Sequence, residues 1–172
     1  MRYFNGFSLR GEEELFDDYI DDSDFTIVGF SYGAQLAFEY LYQSQDRVDR
    51  LILLSPAYFQ DEKSSFVRTQ LRYFNHNKES YVDQFLKNVS YPSGIELDGF
   101  VRLDSSDELN SLLSYRWDSD RVQEVIDRGV NIEVYIGAKD QIIDSSRAFD
   151  FFSNLTTTYL IKDSGHLLRT IR

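Results

Sequence analysis

The stretch that decides the fold is Phe25-Thr26-Ile27-Val28-Gly29-Phe30-Ser31-Tyr32-Gly33-Ala34. A short apolar run, Phe25 to Val28, reads as a buried strand, and the segment from Tyr32 to Tyr42 reads as a helix. Between them lies Gly29-Phe30-Ser31-Tyr32-Gly33, a G-x-S-x-G pentapeptide at a strand-to-helix turn. There the motif has a mechanical meaning. The turn is so tight that its central residue is strained, and flanking glycines let neighbouring backbone pass close by. Ser31 is thereby lifted above the carboxyl edge of a sheet, at a helix N-terminus. That makes it the candidate nucleophile.

The pattern on either side repeats the unit. Upstream, Arg2 to Asn5 reads as a strand, Gly6 and Gly11 as loop punctuation, and Glu12 to Ile20 as a helix with acids in its first turn. Downstream, Arg50 to Leu54 is a strand ended by Pro56. After Trp117 the alternation resumes. A helix is expected over Asp120 to Asp127 with Gly129 as its cap, then a strand over Ile132 to Ile136. A helix over Ser145 to Phe152, capped by Asp144, precedes a last strand over Thr158 to Ile161. Strand–helix alternation means parallel strands joined by crossovers. Residues 57–117 are too many for a crossover connection and read as a mostly helical lid rich in aromatic residues. The expected organisation is a body, 1–56 and 118–172, and a lid, 57–117.

A serine near neutral pH needs a base. The chain holds two histidines. His166 follows the last strand, at the same carboxyl edge as Ser31, whereas His76 sits in the inserted block beside Asn75 and Asn77. The base needs an orienting carboxylate. Asp140 directly follows the fourth strand. Asp144 is explained as a helix cap, and Asp163 is too near His166 in sequence to reach around its ring. The candidate triad is Ser31, His166 and Asp140. An oxyanion needs two backbone donors, for which the N–H of Tyr32 and, from the loop after the first strand, that of Phe7 are expected.

Composition narrows the classes. The chain has 172 residues, 42% hydrophobic and 27% charged, with no Cys. One folded domain is expected, without disulfides, thiol nucleophile or thiolate metal site. The longest strictly aliphatic run, Leu51 to Leu54, is far below the roughly 20 residues of a membrane helix. Eighteen basic and twenty-nine acidic residues give a net charge of −11, which argues against nucleic acid and anionic membrane as partners. A cytoplasmic enzyme is the expectation, with no metal and no cofactor required for serine chemistry.

Together these residues resemble a family. Arg2-Tyr3-Phe4-Asn5-Gly6-Phe7, Gly29-Phe30-Ser31-Tyr32-Gly33-Ala34, Leu53-Leu54-Ser55-Pro56, Ile132-Glu133-Val134-Tyr135-Ile136-Gly137, Lys139-Asp140 and Gly165-His166-Leu167-Leu168 are similar to the BioV-type pimeloyl-[acyl-carrier protein] methyl ester esterases. The chain order Ser31, Asp140, His166 is that of α/β-hydrolases. The resemblance implies a reduced α/β-hydrolase fold, about five mostly parallel strands with a helical lid after the third. It also implies hydrolysis of the methyl ester on a carrier-linked pimeloyl chain, in biotin biosynthesis. Asn5-Gly6 departs from the usual His-Gly of that fold.

An acyl-carrier protein is acidic, as this chain is, so docking needs a local basic patch. Residues 63–78 contain Lys63, Arg68, Arg72 and Lys78 and no acid. Arg68 and Arg72, four apart, share a helix face. Phe66, Tyr73 and Phe74 are expected to line an acyl slot. The competing readings are a general short-acyl carboxylesterase or thioesterase and, in another class, a non-catalytic hydrolase-like binding module. Six residues follow His166, and sequential right-handed crossovers put helices on one side. The other sheet face is therefore expected to be polar or to support weak self-association.

Overall fold

The computed structural model describes residues 1–21 and 23–170. Five strands form one sheet: β1 (Arg2–Phe4), β2 (Thr26–Phe30), β3 (Arg50–Leu54), β4 (Asn131–Gly137) and β5 (Thr157–Ile161). Their spatial order is their chain order, and every pair is parallel. All five carboxyl ends therefore point the same way, and each loop leaving a strand arrives at one rim.

The helices are α1 (Tyr32–Gln43), α2 (Ser64–His76), α3 (Lys78–Ser90), α4 (Ser106–Ser114), α5 (Ser119–Asp127) and α6 (Ser145–Ser153). Sequential parallel order with right-handed crossovers obliges α1, α5 and α6 to share a face. They meet there: Phe38 of α1 packs on Trp117, which packs on Phe152 of α6, and Tyr42 hydrogen-bonds Glu124 of α5. β2 and β3, flanked on both sides, read as almost unbroken apolar runs. Helices α2 to α4 fill the inserted block, whose ends are tied together where the Trp117 indole N–H donates to the Ala57 carbonyl.

Two expectations are corrected. Glu12 to Ile20 is not one helix. A 3-10 helix spans Glu12–Phe16, and the chain then turns. The physical reason is the second sheet face, which this connection must cross. Phe16 packs at a tilt on Phe30 and Tyr19 edge-on against Tyr135, and the Tyr19 hydroxyl donates to the Leu168 carbonyl. The second strand begins at Thr26 and runs to Phe30, so it reaches Ser31 without a spacer.

That second face is covered by this connection and by the residues after His166, of which Ile171 and Arg172 lie outside the described residues. Beyond that cover the face is polar. Arg50 donates two hydrogen bonds to Glu133, at 2.8 and 2.7 Å, and Tyr135 stacks on Tyr159, which is 44% exposed. No helix among the described residues is long and apolar enough to cross a membrane.

Candidate active site

Ser31 stands between β2 and α1 with φ 55° and ψ −113°. An L-residue held there costs about 1–3 kcal/mol, which the surrounding packing must offset. The flanking glycines are obligatory by close approach. A Cβ on Gly29 would run into the Gly33 backbone, and one on Gly33 into the carbonyls of Phe4 and Asn5. The second contact also presses the elbow against the end of β1, where the candidate oxyanion loop begins.

His166 and Asp140 meet as the sequence predicts. His166 Nδ1 lies 2.6 Å from Asp140 Oδ2, and both side chains are fully buried. The other carboxylate oxygen, Oδ1, accepts the backbone N–H groups of Ile142 at 2.7 Å and Ile143 at 3.2 Å. Asp140 is thus held by its own loop while it faces the ring. An ionised carboxylate only accepts, so Nδ1 carries the proton and Nε2 presents a lone pair. The Nε2 and Ser31 Oγ atoms are both buried, and among the described residues neither has a hydrogen-bond partner. The pair is therefore not joined by a hydrogen bond, and tightening on substrate binding is what such pairs ordinarily show.

The other candidates separate cleanly. Asp144 accepts the Arg147 N–H as the cap of α6, Asp163 pairs with Lys139, and His76 is exposed at the end of α2. Gly6 and Ser8 spend their N–H groups on Glu12 and Asp104. The Phe7 N–H between them has no partner among the described residues, nor has that of Tyr32 at the start of α1.

A cavity of about 460 Å³ lies among α2, α3, α4 and the loop after β4. Phe66 and Tyr73 line it, as expected of an acyl slot, with aliphatic neighbours and the amides of Gln70, Gln84, Asn88 and Gln141. No Asp, Glu, Lys, Arg or His is on its wall. Ser31 and His166 are not on it either, and both are at most 1% exposed. Phe74 is displaced from the expected slot. It is buried against Phe7 and Tyr81, because α2 turns that side toward the body. Arg68 and Arg72 are exposed on α2, outside the cavity wall and without an ion pair among the described residues.

Sequence reading missed Glu12 and Asp104. Glu12 stands in a run of three glutamates of which it alone is buried. Asp104 is 96 residues from the N–H it accepts. Burial holds both carboxyl groups above their ordinary pKa.

The architecture and the strand–serine–helix elbow define an α/β-hydrolase fold. Residues 14–89 match the model of the α/β-hydrolase fold family, a span covering β2, the elbow, β3 and helices α1 to α3. Solved structures agree on the fold. An esterase from Exiguobacterium antarcticum is 19% identical (TM-score 0.55), covering 82% of this chain and 59% of its own. MenH from S. aureus is 15% identical (TM-score 0.61), covering 95% and 85%. Naproxen esterase from Bacillus subtilis is 18% identical (TM-score 0.53), covering 83% and 53%. The chain thus spans little more than half the length of the two esterases. No curated protein matches it in sequence.

Proposed function

We propose that the chain is a serine carboxylic ester hydrolase and that its substrate is the methyl ester of a carrier-linked pimeloyl group. The observation that carries the reading is the buried relay Asp140–His166 at the same rim of the sheet as a strained Ser31, with Nε2 and Oγ both left unpaired among the described residues. Buried polar atoms without partners cost about 1–3 kcal/mol each. Their retention at one rim of the sheet is explained by chemistry rather than by packing.

In this mechanism Ser31 Oγ attacks the ester carbonyl as its proton passes to His166 Nε2. The oxyanion is held by the N–H groups of Phe7 and Tyr32. Asp140 stabilises the imidazolium, which returns the proton to the departing methoxide as methanol. Water then attacks the acyl-enzyme, giving its proton to the same nitrogen, and the free carboxylate leaves with Ser31 restored.

The wall of the 460 Å³ cavity suits an uncharged, amide-bearing acyl arm, since aromatic rings take methylenes and side-chain amides take amides. Arg68 and Arg72, exposed on the same helix that gives Phe66 and Tyr73 to the wall, suit an acidic carrier. The resemblance to BioV-type esterases points the same way.

The test is hydrolysis of purified pimeloyl-[acyl-carrier protein] methyl ester. The wild-type protein is expected to release methanol, and Ser31→Ala to release none. Paired Arg68→Ala and Arg72→Ala should lose about tenfold or more in kcat/KM on the carrier-linked ester and little on a small free ester. Equal loss on both substrates would refute carrier docking. Turnover by Ser31→Ala would refute serine catalysis.

A further inference from the structure

The oxyanion loop is held by two buried carboxylates that leave one peptide free. Gly6 N–H donates to Glu12 Oε1 at 2.6 Å, and Ser8 N–H to Asp104 Oδ2 at 2.7 Å. The carbonyl of Gly6 accepts the Leu9 N–H at 3.2 Å. The peptide linking Gly6 to Phe7 therefore has its oxygen occupied and the donors on both sides occupied. Its own N–H, that of Phe7, is unpartnered among the described residues.

These carboxylates are costly places for charge. Glu12 and Asp104 are 0% and 5% exposed, and Glu12 Oε2 has no partner among the described residues. The cation nearest Asp104 is Arg10, at 3.6 Å and partly exposed. Burial disfavours charge on both, and at Glu12 no ion pair among the described residues offsets it. Packing alone would be better served by leucine at either position. What a carboxylate adds is a strong, directional acceptor for a backbone N–H.

Resting on the serine hydrolase reading above, we propose that Glu12 and Asp104 are positioning residues for the oxyanion donor at Phe7. Together they clasp the loop on either side of that N–H and fix the peptide plane that aims it at the oxygen of the tetrahedral intermediate. The clasp joins two distant parts of the chain. Glu12 opens the 3-10 helix that lies over the second sheet face, and Asp104 belongs to the inserted block. Arg102 N–H donates to the Ser8 carbonyl, Asp104 N–H to Ser8 Oγ, and Arg10 N–H to the Phe100 carbonyl. The Phe7 ring itself packs on Phe74 and Phe85 of α2 and α3. The inserted helices thus bear on the donor as well as on the acyl cavity.

The test compares wild type with Glu12→Leu, Asp104→Leu and Glu12→Gln. Each is measured for steady-state hydrolysis of a p-nitrophenyl ester and for inhibition by a trifluoromethyl ketone. The ketone carbonyl adds to Ser31 Oγ, the serine proton passes to His166, and the new alkoxide sits where the oxyanion forms. Each leucine variant should lose about 10²-fold in kcat with KM nearly unchanged. The Ki of the ketone should rise by the factor by which kcat/KM falls, which a purely structural role would not produce. Glu12→Gln keeps an acceptor for Gly6 and should restore most of the lost kcat. If the leucine variants do not fold, Glu12→Asp, whose carboxylate falls one methylene short of Gly6, carries the same comparison with about tenfold expected. Folded variants with unchanged kcat/KM, or with reduced kcat/KM and an unmoved Ki, would overturn the clasp while leaving the hydrolase reading intact. A wild-type protein that neither turns over the ester nor binds the ketone would overturn both.

Discussion

Replacing Asp140 by asparagine tests the relay through its hydrogen bonds alone, because the two side chains have the same shape. The structure dictates how the introduced amide must lie. Two backbone donors, from Ile142 and Ile143, converge on one carboxylate oxygen. Turning the amide nitrogen toward them would leave both N–H groups buried and unpaired, at about 1–3 kcal/mol each. The amide oxygen is therefore pinned on the loop, and the amide N–H is turned to His166 Nδ1. That nitrogen must now accept, so the imidazole proton moves to Nε2, where it blocks acceptance of the serine proton. Loss of the reactive tautomer in a triad is worth about 10⁴-fold in kcat, or roughly 5 kcal/mol of transition-state stabilisation. The assay is p-nitrophenyl ester hydrolysis, with circular dichroism and thermal melting as controls for an intact fold. An Asp140→Asn protein that melts near wild type and retains activity within tenfold would refute the assigned tautomer, and with it the role of Asp140.

Two further perturbations follow from the architecture. Gly33→Ala sets a Cβ against the carbonyls of Phe4 and Asn5, backbone that cannot rotate aside. About 1–3 kcal/mol of stability should be lost in urea denaturation, with kcat reduced more than KM as the oxyanion loop is pushed. Glu133 is held below the usual glutamate range, first by its hydrogen bonds from Arg50. A depressed folded pKa gives stability that is complete above the unfolded value and is lost as pH falls through the folded one. Glu133→Gln should therefore cost about 1–2 kcal/mol at pH 7, and urea midpoints of variant and wild type should converge as pH falls below the ordinary glutamate range.

How much was legible depends on the range of the forces involved. The elbow was readable because strand, turn and helix are local, and its two glycines answer to contacts within one tight bend. Strand–helix alternation implied parallel strands, and these delivered Asp140 and His166 to the rim of Ser31 without a contact having to be foreseen. The choice of Asp140 over Asp144 and Asp163 also followed from position, since Asp144 stood where a helix cap was expected and Asp163 only three residues from His166; in the structure Asp144 caps α6 and Asp163 pairs with Lys139. Local pattern misled at Glu12 to Ile20, where apolar residues at helical spacing are used instead to cover a sheet. It misled at Phe74 too, because periodicity gives a helix face but not what the face meets. Asp104 was out of reach altogether. Its meeting with Ser8 is a contact between distant segments, and no residue near either position signals the other.

The strand order also bears on why the oxyanion loop is built as it is. With α1, α5 and α6 on one face, the other must be closed by connections rather than by helices, and the connection available is the one leaving β1. Phe16 and Tyr19 anchor it on Phe30 and Tyr135, and Arg169 ties the chain after His166 to it through the Leu15 carbonyl and Asp18. The segment that follows Phe7 is thereby part of the core on one side, while the antiparallel bridge between Leu9 and Val101 fastens it to the inserted block on the other. A loop so placed cannot be a free surface turn, and backbone buried in this way must find its partners internally. Glu12 and Asp104 are those partners. The requirement to seal a one-sided sheet and the requirement to aim a single N–H are met by the same few residues. Changes in the covering segment should for that reason register in kcat before they register in the integrity of the triad.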